Sequence, residues 1–325
     1  MEYKTFGHSK LKVSEYCLGT LTMGRLQSNL SIQEGAEIIK TAVNHGITFI
    51  DTAANYGSIN HIKQGLELLK NEDSTIIDDL VIATKTKAKN GEELVEYVDV
   101  FLNNLNRDIV DILCFHNIAS KKAFEEREDA YYKALELKDK GKIKEIGWTA
   151  HSLVELEPVL DYAEEIGIIM PIINFKGVGL RGYTLEELLD FLDDAKKKGI
   201  STYSMKSLGG GHLRSHAEEA INWLRNIPQI DVVCVGAKSS AEVIMNACIF
   251  EGKKIPVEIS DKIERVRRKI TIYHHLCEKC GKCIEACTNG AMIFTEEKGP
   301  EIDHDACVIC GYCADACPKF IIRVI

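Results

Sequence analysis

From Tyr16 to about Phe250, short apolar runs alternate with longer amphipathic stretches, the pattern of repeated strand–helix units. Eight runs read as strands: CLGTL, ITFID, LVIATK, IVDILCFH, IKEIGWT, IIMPIINF, ISTYSMK and IDVVCVGA. They are apolar along their length instead of alternating, which fits parallel strands buried on both faces. The stretches between them carry helix signals. SIQEGAEIIKTAVNHG opens on Ser31 as an N-cap, places Glu34 where a capping box needs it and stops at Gly46. TLEELLDFLDDAKKKG repeats the scheme with Thr184, Glu187 and Gly199, and its lysine-rich last turn suits the helix dipole. Such units predict an α/β fold, a (β/α)8 barrel over residues 1–250. An open doubly wound sheet is the alternative.

After Phe250 the pattern breaks. Residues 251–272 read as a connector with Pro256 as punctuation and a charged helix from Ser260. Its cluster Arg265, Arg267, Arg268 and Lys269 reads as a solvated helix face, with a docking patch for an acidic partner as the other reading. Residues 273–325 form a small cysteine-rich domain: of twelve cysteines, eight fall between Cys277 and Cys317. Cys17, Cys114, Cys234 and Cys248 lie in predicted strands or helices, where buried small hydrophobes are the default. The formal net charge of −9 over 325 residues gives no electrostatic footprint for nucleic acid or anionic lipid. No signal-like N-terminus is present, and no apolar stretch of about 18 residues could span a bilayer. A cytoplasmic protein is expected, so dense tail cysteines point to metal instead of disulfides.

Three predicted strands end in their strongest chemical group. ITFID ends on Asp51 and is followed by Tyr56; LVIATK ends on Lys85; IVDILCFH ends on His116. In a parallel barrel these ends converge on one mouth. A phenol has a pKa near 10, so Tyr56 acting as acid or base near neutrality needs a cation beside it, which Lys85 supplies. Asp51 would hold the ammonium charged, and a neutral His116 could donate an N–H to a substrate oxygen.

DTAANY, Lys85 and the strand-ending His116 resemble the tetrad of the aldo-keto reductases, over about Tyr3 to Phe250. The resemblance implies Tyr56 as proton donor, Lys85 and Asp51 as the pair that tunes it, and His116 as the group orienting a small-molecule carbonyl substrate. It also implies an NADPH site, with NADH as the alternative. Gly19-Thr20 resembles the family's first-strand Gly-Thr, and GWTAH its fifth-strand segment, with Thr149 able to bond the carboxamide and Ala150 replacing the amide. Further contacts implied are Asn174, Met205 at the nicotinamide-stacking position, and Lys206, Leu208 and Gly210 within MKSLGGG, where the glycines would approach the pyrophosphate. GAKSSAEVIMN resembles the adenosine-phosphate segment and keeps Gly236, Lys238, Ser239 and Asn246, while Glu242 would repel a 2′-phosphate. Gly177, Gly179 and Gly182 spell G-x-G-x-x-G without the acidic residue at a second strand end, and read as a mouth loop. Arg181 in that loop is a candidate for an anionic substrate group.

In the tail, Cys277, Cys280, Cys283 and Cys287 read C-x2-C-x2-C-x3-C, and Cys307, Cys310, Cys313 and Cys317 repeat the spacing before Pro318. This resembles a bacterial ferredoxin domain with two [4Fe-4S] clusters, in which the fourth cysteine of each run ligates the other cluster. The resemblance implies one cluster on Cys277, Cys280, Cys283 and Cys317, and a second on Cys307, Cys310, Cys313 and Cys287. Thr288 stands where the pattern would have proline. A pair of zinc sites is the rival reading. The whole reads as an NAD(P)H-dependent carbonyl–alcohol oxidoreductase with an attached iron–sulfur domain. The alternative is an electron-transfer protein that exchanges electrons with a redox partner through the clusters.

Overall fold

The computed structural model describes residues 1–25, 27–118, 120–180, 182–264, 270–287, 290–307 and 312–324. Arg181, Thr288, Cys310 and the connector's cluster Arg265, Arg267, Arg268 and Lys269 lie outside these residues. The chain opens with a hairpin, β1 (Tyr3–Phe6) and β2 (Leu11–Ser14). Eight parallel strands then close a barrel: β3 (Tyr16–Gly19), β4 (Phe49–Asp51), β5 (Val81–Thr86), β6 (Val110–Phe115), β7 (Ile143–Thr149), β8 (Ile168–Met170), β9 (Ser201–Ser204) and β10 (Val232–Gly236), with β10 pairing back onto β3. Around it lie α1 (Ile32–Asn44), α2 (Ile59–Glu72), α3 (Gly91–Leu105), α4 (Lys121–Glu125), α5 (Glu128–Asp139), α6 (Leu153–Leu156), α7 (Leu185–Lys197), α8 (Ala217–Arg225) and α9 (Ser240–Phe250). The (β/α)8 expectation holds, strand for strand.

The local signals act as expected. Ser31 and Thr184 both form capping boxes, with Glu34 and Glu187. Helix α1 turns Ala36, Ile38, Ile39, Ala42 and Val43 inward, each large aliphatic stabilising the fold by about 1.5–3 kcal/mol on burial. Strand β8 stops at Met170, short of the predicted IIMPIINF, because Pro171 has no N–H to continue a ladder. Among the described residues, an isolated bridge, Ile172 to Met205, carries the pairing further.

The hairpin was not expected, and it matters. Phe6, Leu11 and Val13 enter the barrel interior beside Phe49 and Tyr203, with ring centroids 5.6 Å (Phe6–Phe49) and 5.8 Å (Phe6–Tyr203) apart. It plugs the barrel from beneath and fixes the floor of the site.

Beyond the barrel, α10 (Val257–Glu264) leads to β11 (Ile270–Ile272), α11 (Lys282–Glu285), β12 (Met292–Thr295), β13 (Gly299–Ile302), α12 (Tyr312–Asp315) and β14 (Ile322–Val324). Strand β11 pairs antiparallel with β14, and β12 with β13. The tail's first strand therefore starts at Ile270, inside the stretch expected to be connector. Its core gathers Ile270, Met292, Ala314, Ile321 and Ile322 around Cys283 and Cys313.

Candidate active site and iron–sulfur centre

The strand ends meet as their sequence implies. Lys85 Nζ lies 2.5 Å from Asp51 Oδ1 and 2.9 Å from the Thr52 carbonyl, with Lys85 1% and Asp51 2% exposed. The same ammonium lies 5.1 Å from the centroid of the buried Tyr56 ring. His116 stands edge-on to Tyr56 at 5.9 Å between centroids. One lysine thus touches the acid that holds it and the phenol it serves.

Electrostatics sharpen these roles. Burial opposes the Lys85 charge, but Asp51 outweighs it and holds the ammonium above its ordinary range. Burial pushes Tyr56 up to about 12 against the pull of Lys85. The expectation that Lys85 would bring the phenol toward neutrality is therefore not met, and Tyr56 is firmly protonated, the state of a proton donor. Burial and then Lys85, with smaller contributions from Lys87, His151 and Arg127, pull His116 down to about 3. It is neutral at physiological pH, the state expected of a group that donates an N–H to a carbonyl oxygen.

Several supporting groups escaped the sequence reading. Tyr203 donates to Asp51 Oδ1 at 3.1 Å from the barrel floor. A fully buried tyrosine needs a polar partner, and that is the signal that could have found it. The hydroxyls of Thr20, Ser58 and Thr52 form a buried chain, at 2.8 Å and 2.9 Å, and Thr20 Oγ1 donates to the Asp51 carbonyl at 2.9 Å. Thr20, expected against the nucleotide, is engaged in holding Asp51. Among the described residues, His116 Nδ1 and Asn117 Oδ1 are buried without a hydrogen-bond partner. Both sit at the mouth, Asn117 directly after His116 at the end of β6 and in a left-handed conformation (φ 52°).

The residues expected to hold a dinucleotide divide into two groups. Gly19 and Gly236 face each other across the β3–β10 pair, and a Cβ on Gly236 would lie 2.5 Å from Thr22 Cγ2. Met205, Lys206, Leu208 and Gly210 follow β9 at the mouth, Met205 packing against the interior cluster. Ser239 caps α9 through the Glu242 N–H, and Glu242 Oε2 accepts from the Lys238 N–H. The other Glu242 oxygen meets Arg214 at 2.5 Å, which offsets the charge expected to repel a 2′-phosphate. Three residues are spent within the protein. Thr149 Oγ1 accepts from the Asn117 N–H and donates to the Phe115 carbonyl. Asn174 is fully buried, its amide donating to the Val178 and Lys206 carbonyls while its oxygen accepts from the Val178 N–H. Asn246 is buried under α9 and donates to the Tyr16 hydroxyl. The last two brace loops and helix instead of lining the mouth.

In the tail, Cys277, Cys280, Cys283 and Cys317 line one cavity, closed by Phe294, Pro300 and Pro318. This is the crossed set, three thiols from the first run and one from the second. The Lys279 N–H points at Cys277 Sγ from 3.3 Å, the kind of contact that stabilises a thiolate ligand. Cys287, Cys307, Cys313 and Cys317 pack around the same small core, and Cys310 lies outside the described residues.

Comparison with known proteins places this architecture. The sequence model of the aldo/keto reductase family matches residues 15–266. The chain belongs to that family. This aldo/keto reductase continues into a match to the 4Fe-4S dicluster domain at residues 276–321, so the tail is an iron–sulfur domain. It is 28% identical over 264 residues to L-galactose dehydrogenase of Arabidopsis thaliana, covering 78% of this chain and 77% of that one. It is also 28% identical over 248 residues to the uncharacterized oxidoreductase YtbE of Bacillus subtilis, covering 74% and 80%. A solved aldo-keto reductase structure from Pseudomonas aeruginosa shares the fold, with a TM-score of 0.61 at 20% identity over 76% of this chain and 94% of that chain. Among the described residues, no helix of the reductase is long and apolar enough to cross a membrane.

Proposed function

We propose that this oxidoreductase interconverts a carbonyl and an alcohol with NADPH or NADH, and that its tail carries two [4Fe-4S] clusters. The observation that carries the reading is the buried Asp51–Lys85–Tyr56 contact facing a neutral His116. A nicotinamide supplies hydride to carbonyl carbon when bound. The protein's part is the oxygen. His116 donates an N–H that holds the carbonyl oxygen and stabilises the charge developing there, and Tyr56 gives it the proton. Lys85 stabilises the phenolate left behind, and Asp51 with Tyr203 keeps Lys85 in place. Thr149 occupies itself with the ends of β6 and β7, so the unpartnered Asn117 Oδ1 beside it is our candidate for the carboxamide, in place of the amide that Ala150 lacks. Arg214 leaves the adenosine end tolerant of a 2′-phosphate through Lys238. For the tail, the cavity set Cys277, Cys280, Cys283 and Cys317 would hold one cluster, and Cys307, Cys310, Cys313 and Cys287 the other.

The test is anaerobic turnover of a panel of aldehydes, ketones, sugars and quinones with NADPH and with NADH, followed at the nicotinamide absorbance. Turnover that disappears in Tyr56→Phe while cluster absorbance is unchanged supports the reading. Turnover retained in Tyr56→Phe, or none across the panel in either direction, refutes it.

A further inference from the structure

We infer that the rim around His116 is an anion subsite, in which Arg127 and Lys87 flank the histidine, so that the reductase takes carbonyl substrates that also carry a carboxylate or phosphate group. This rests on the carbonyl–alcohol reading above and narrows its substrate class.

Neighbouring strand ends put both cations there. The His116 N–H donates to the Thr86 carbonyl at 2.9 Å. That bond extends the β5–β6 pairing beyond Thr86 and Phe115 and sets the exposed Lys87 beside the histidine. The segment after β6 then returns to the same point, where Arg127 Nη1 donates to the His116 carbonyl at 3.1 Å. The Arg127 backbone is pinned, its N–H donating to the Phe124 carbonyl at 2.7 Å and its carbonyl accepting from the Tyr131 N–H at 2.9 Å. Phe124 and Tyr131 are themselves buried in an aromatic cluster with Phe115 and Trp148. Rigid packing therefore holds the guanidinium next to His116.

The charge at this rim is unbalanced. Lys85 is already matched by Asp51. Arg127 is half-buried, and its bond to the His116 carbonyl uses one donor of its fork and brings no negative charge. Burial pulls the guanidinium down, and the exposed carboxylate of Glu126 offsets that only in part. Carboxylates of the adjoining loops face backbone: Glu155 accepts from the His151 and Ser152 N–H groups, and Glu93 from the Lys89 N–H. After burial itself, the groups that pull His116 down are Lys85, Lys87, His151 and Arg127, all basic. A half-buried cation short of counter-charge favours an anion, and the guanidinium fork matches the oxygens of a carboxylate or phosphate. Because these cations flank the histidine that would hold the carbonyl, the anionic group they meet belongs to the same small molecule, a few atoms from the reacting carbon.

The experiment measures kcat and KM anaerobically, with the cluster-replete full-length protein, on substrates paired by size. Succinic semialdehyde is set against its methyl ester for the carboxylate, and glyceraldehyde 3-phosphate against glyceraldehyde for the phosphate. In at least one pair the anionic member should be preferred in kcat/KM by about tenfold or more, the contribution of a charge-assisted contact. Arg127→Gln should remove that preference through KM and change the neutral member far less, and Arg127→Lys should recover part of it. By calorimetry, succinate, which has no aldehyde to reduce, should bind the wild type more tightly than Arg127→Gln, with an affinity that falls as salt is added. If Arg127→Gln fails to fold, Lys87→Gln, a change at an exposed side chain, decides by the same comparison. Equal losses on both members of a pair overturn the inference, making Arg127 a brace for the segment after β6. Turnover with no anionic preference in the wild type also overturns it while leaving the carbonyl–alcohol reading intact. A wild type that turns over neither member of either pair, nor any neutral carbonyl, sinks the reading and the inference together.

Discussion

Replacing Lys85 with methionine separates the two tasks of the buried ion pair. The substitution keeps the apolar stem and removes the charge, leaving Asp51, 2% exposed, with Tyr203 at 3.1 Å as its remaining side-chain donor. Removing one partner of a buried pair costs about 3–5 kcal/mol, because the other charge remains in a medium that cannot solvate it. For a domain of this size each kcal/mol lowers Tm by about 2–4 °C, so Lys85→Met should lower the barrel transition by about 10 °C. Asp51→Asn combined with Lys85→Met removes the orphaned charge and should recover most of that loss, yet both variants should be inactive. Trp148 and Trp223 both belong to the barrel, so anaerobic unfolding followed by tryptophan fluorescence reports the barrel apart from the tail. A Lys85→Met variant within about 1 kcal/mol of wild type would refute the reasoning, since a dry pair cannot be broken so cheaply. So would a double variant no more stable than Lys85→Met.

Three further outcomes follow. Tyr56→Phe should lower kcat by about a hundredfold or more, the usual range for a lost general acid, with nucleotide Kd unchanged by calorimetry. His116, held at about 3 when folded against about 6.5 when unfolded, binds more protons in the unfolded chain between those values. Its stabilising contribution is full above pH 6.5 and is lost as pH falls toward 3, so the urea midpoint should drop more from pH 7.5 to 5 in wild type than in His116→Gln. Cys317→Ser should remove the cluster signal assigned to Cys277, Cys280 and Cys283 and about half of the iron, by EPR and metal analysis, because the crossed pattern places it in the first cluster.

The barrel was legible because its strands are apolar throughout and end in their polar groups; Asp51, Lys85 and His116 each close a run of that kind. Capping boxes were legible because they are local. What escaped depends on distance along the chain. The hairpin strands YKTF and LKVS are too short to show a period, and they declare themselves only by filling the barrel beside Phe49 and Tyr203. The Arg214–Glu242 pair joins a loop to a helix start, which no window of sequence contains. Asn174 and Asn246 matched a family pattern by position, but their amides are used internally. Pattern fixes where a residue stands in the fold, while its available hydrogen bonds decide what it can still do. The tail's thiols were readable by spacing, whereas the β11–β14 pairing brings Ile270 to Val324, at opposite ends of that domain.

The contact between tail and mouth is close to energetic balance, and this bears on why the domains are joined there. Two non-glycine residues in left-handed conformations, Lys206 and Phe320, cost about 1–3 kcal/mol each. Burial of the Phe320 side chain returns about 1.5–3 kcal/mol, and cations at 4.3 Å and 4.1 Å from its ring add about 0.5–2 kcal/mol apiece. These terms cancel to within a few kcal/mol. A nicotinamide exchanges electrons in pairs and a cluster one at a time, so the two chemistries benefit from being linked by position before they are linked by current. A near-balanced contact one turn from Cys317 provides that positional link.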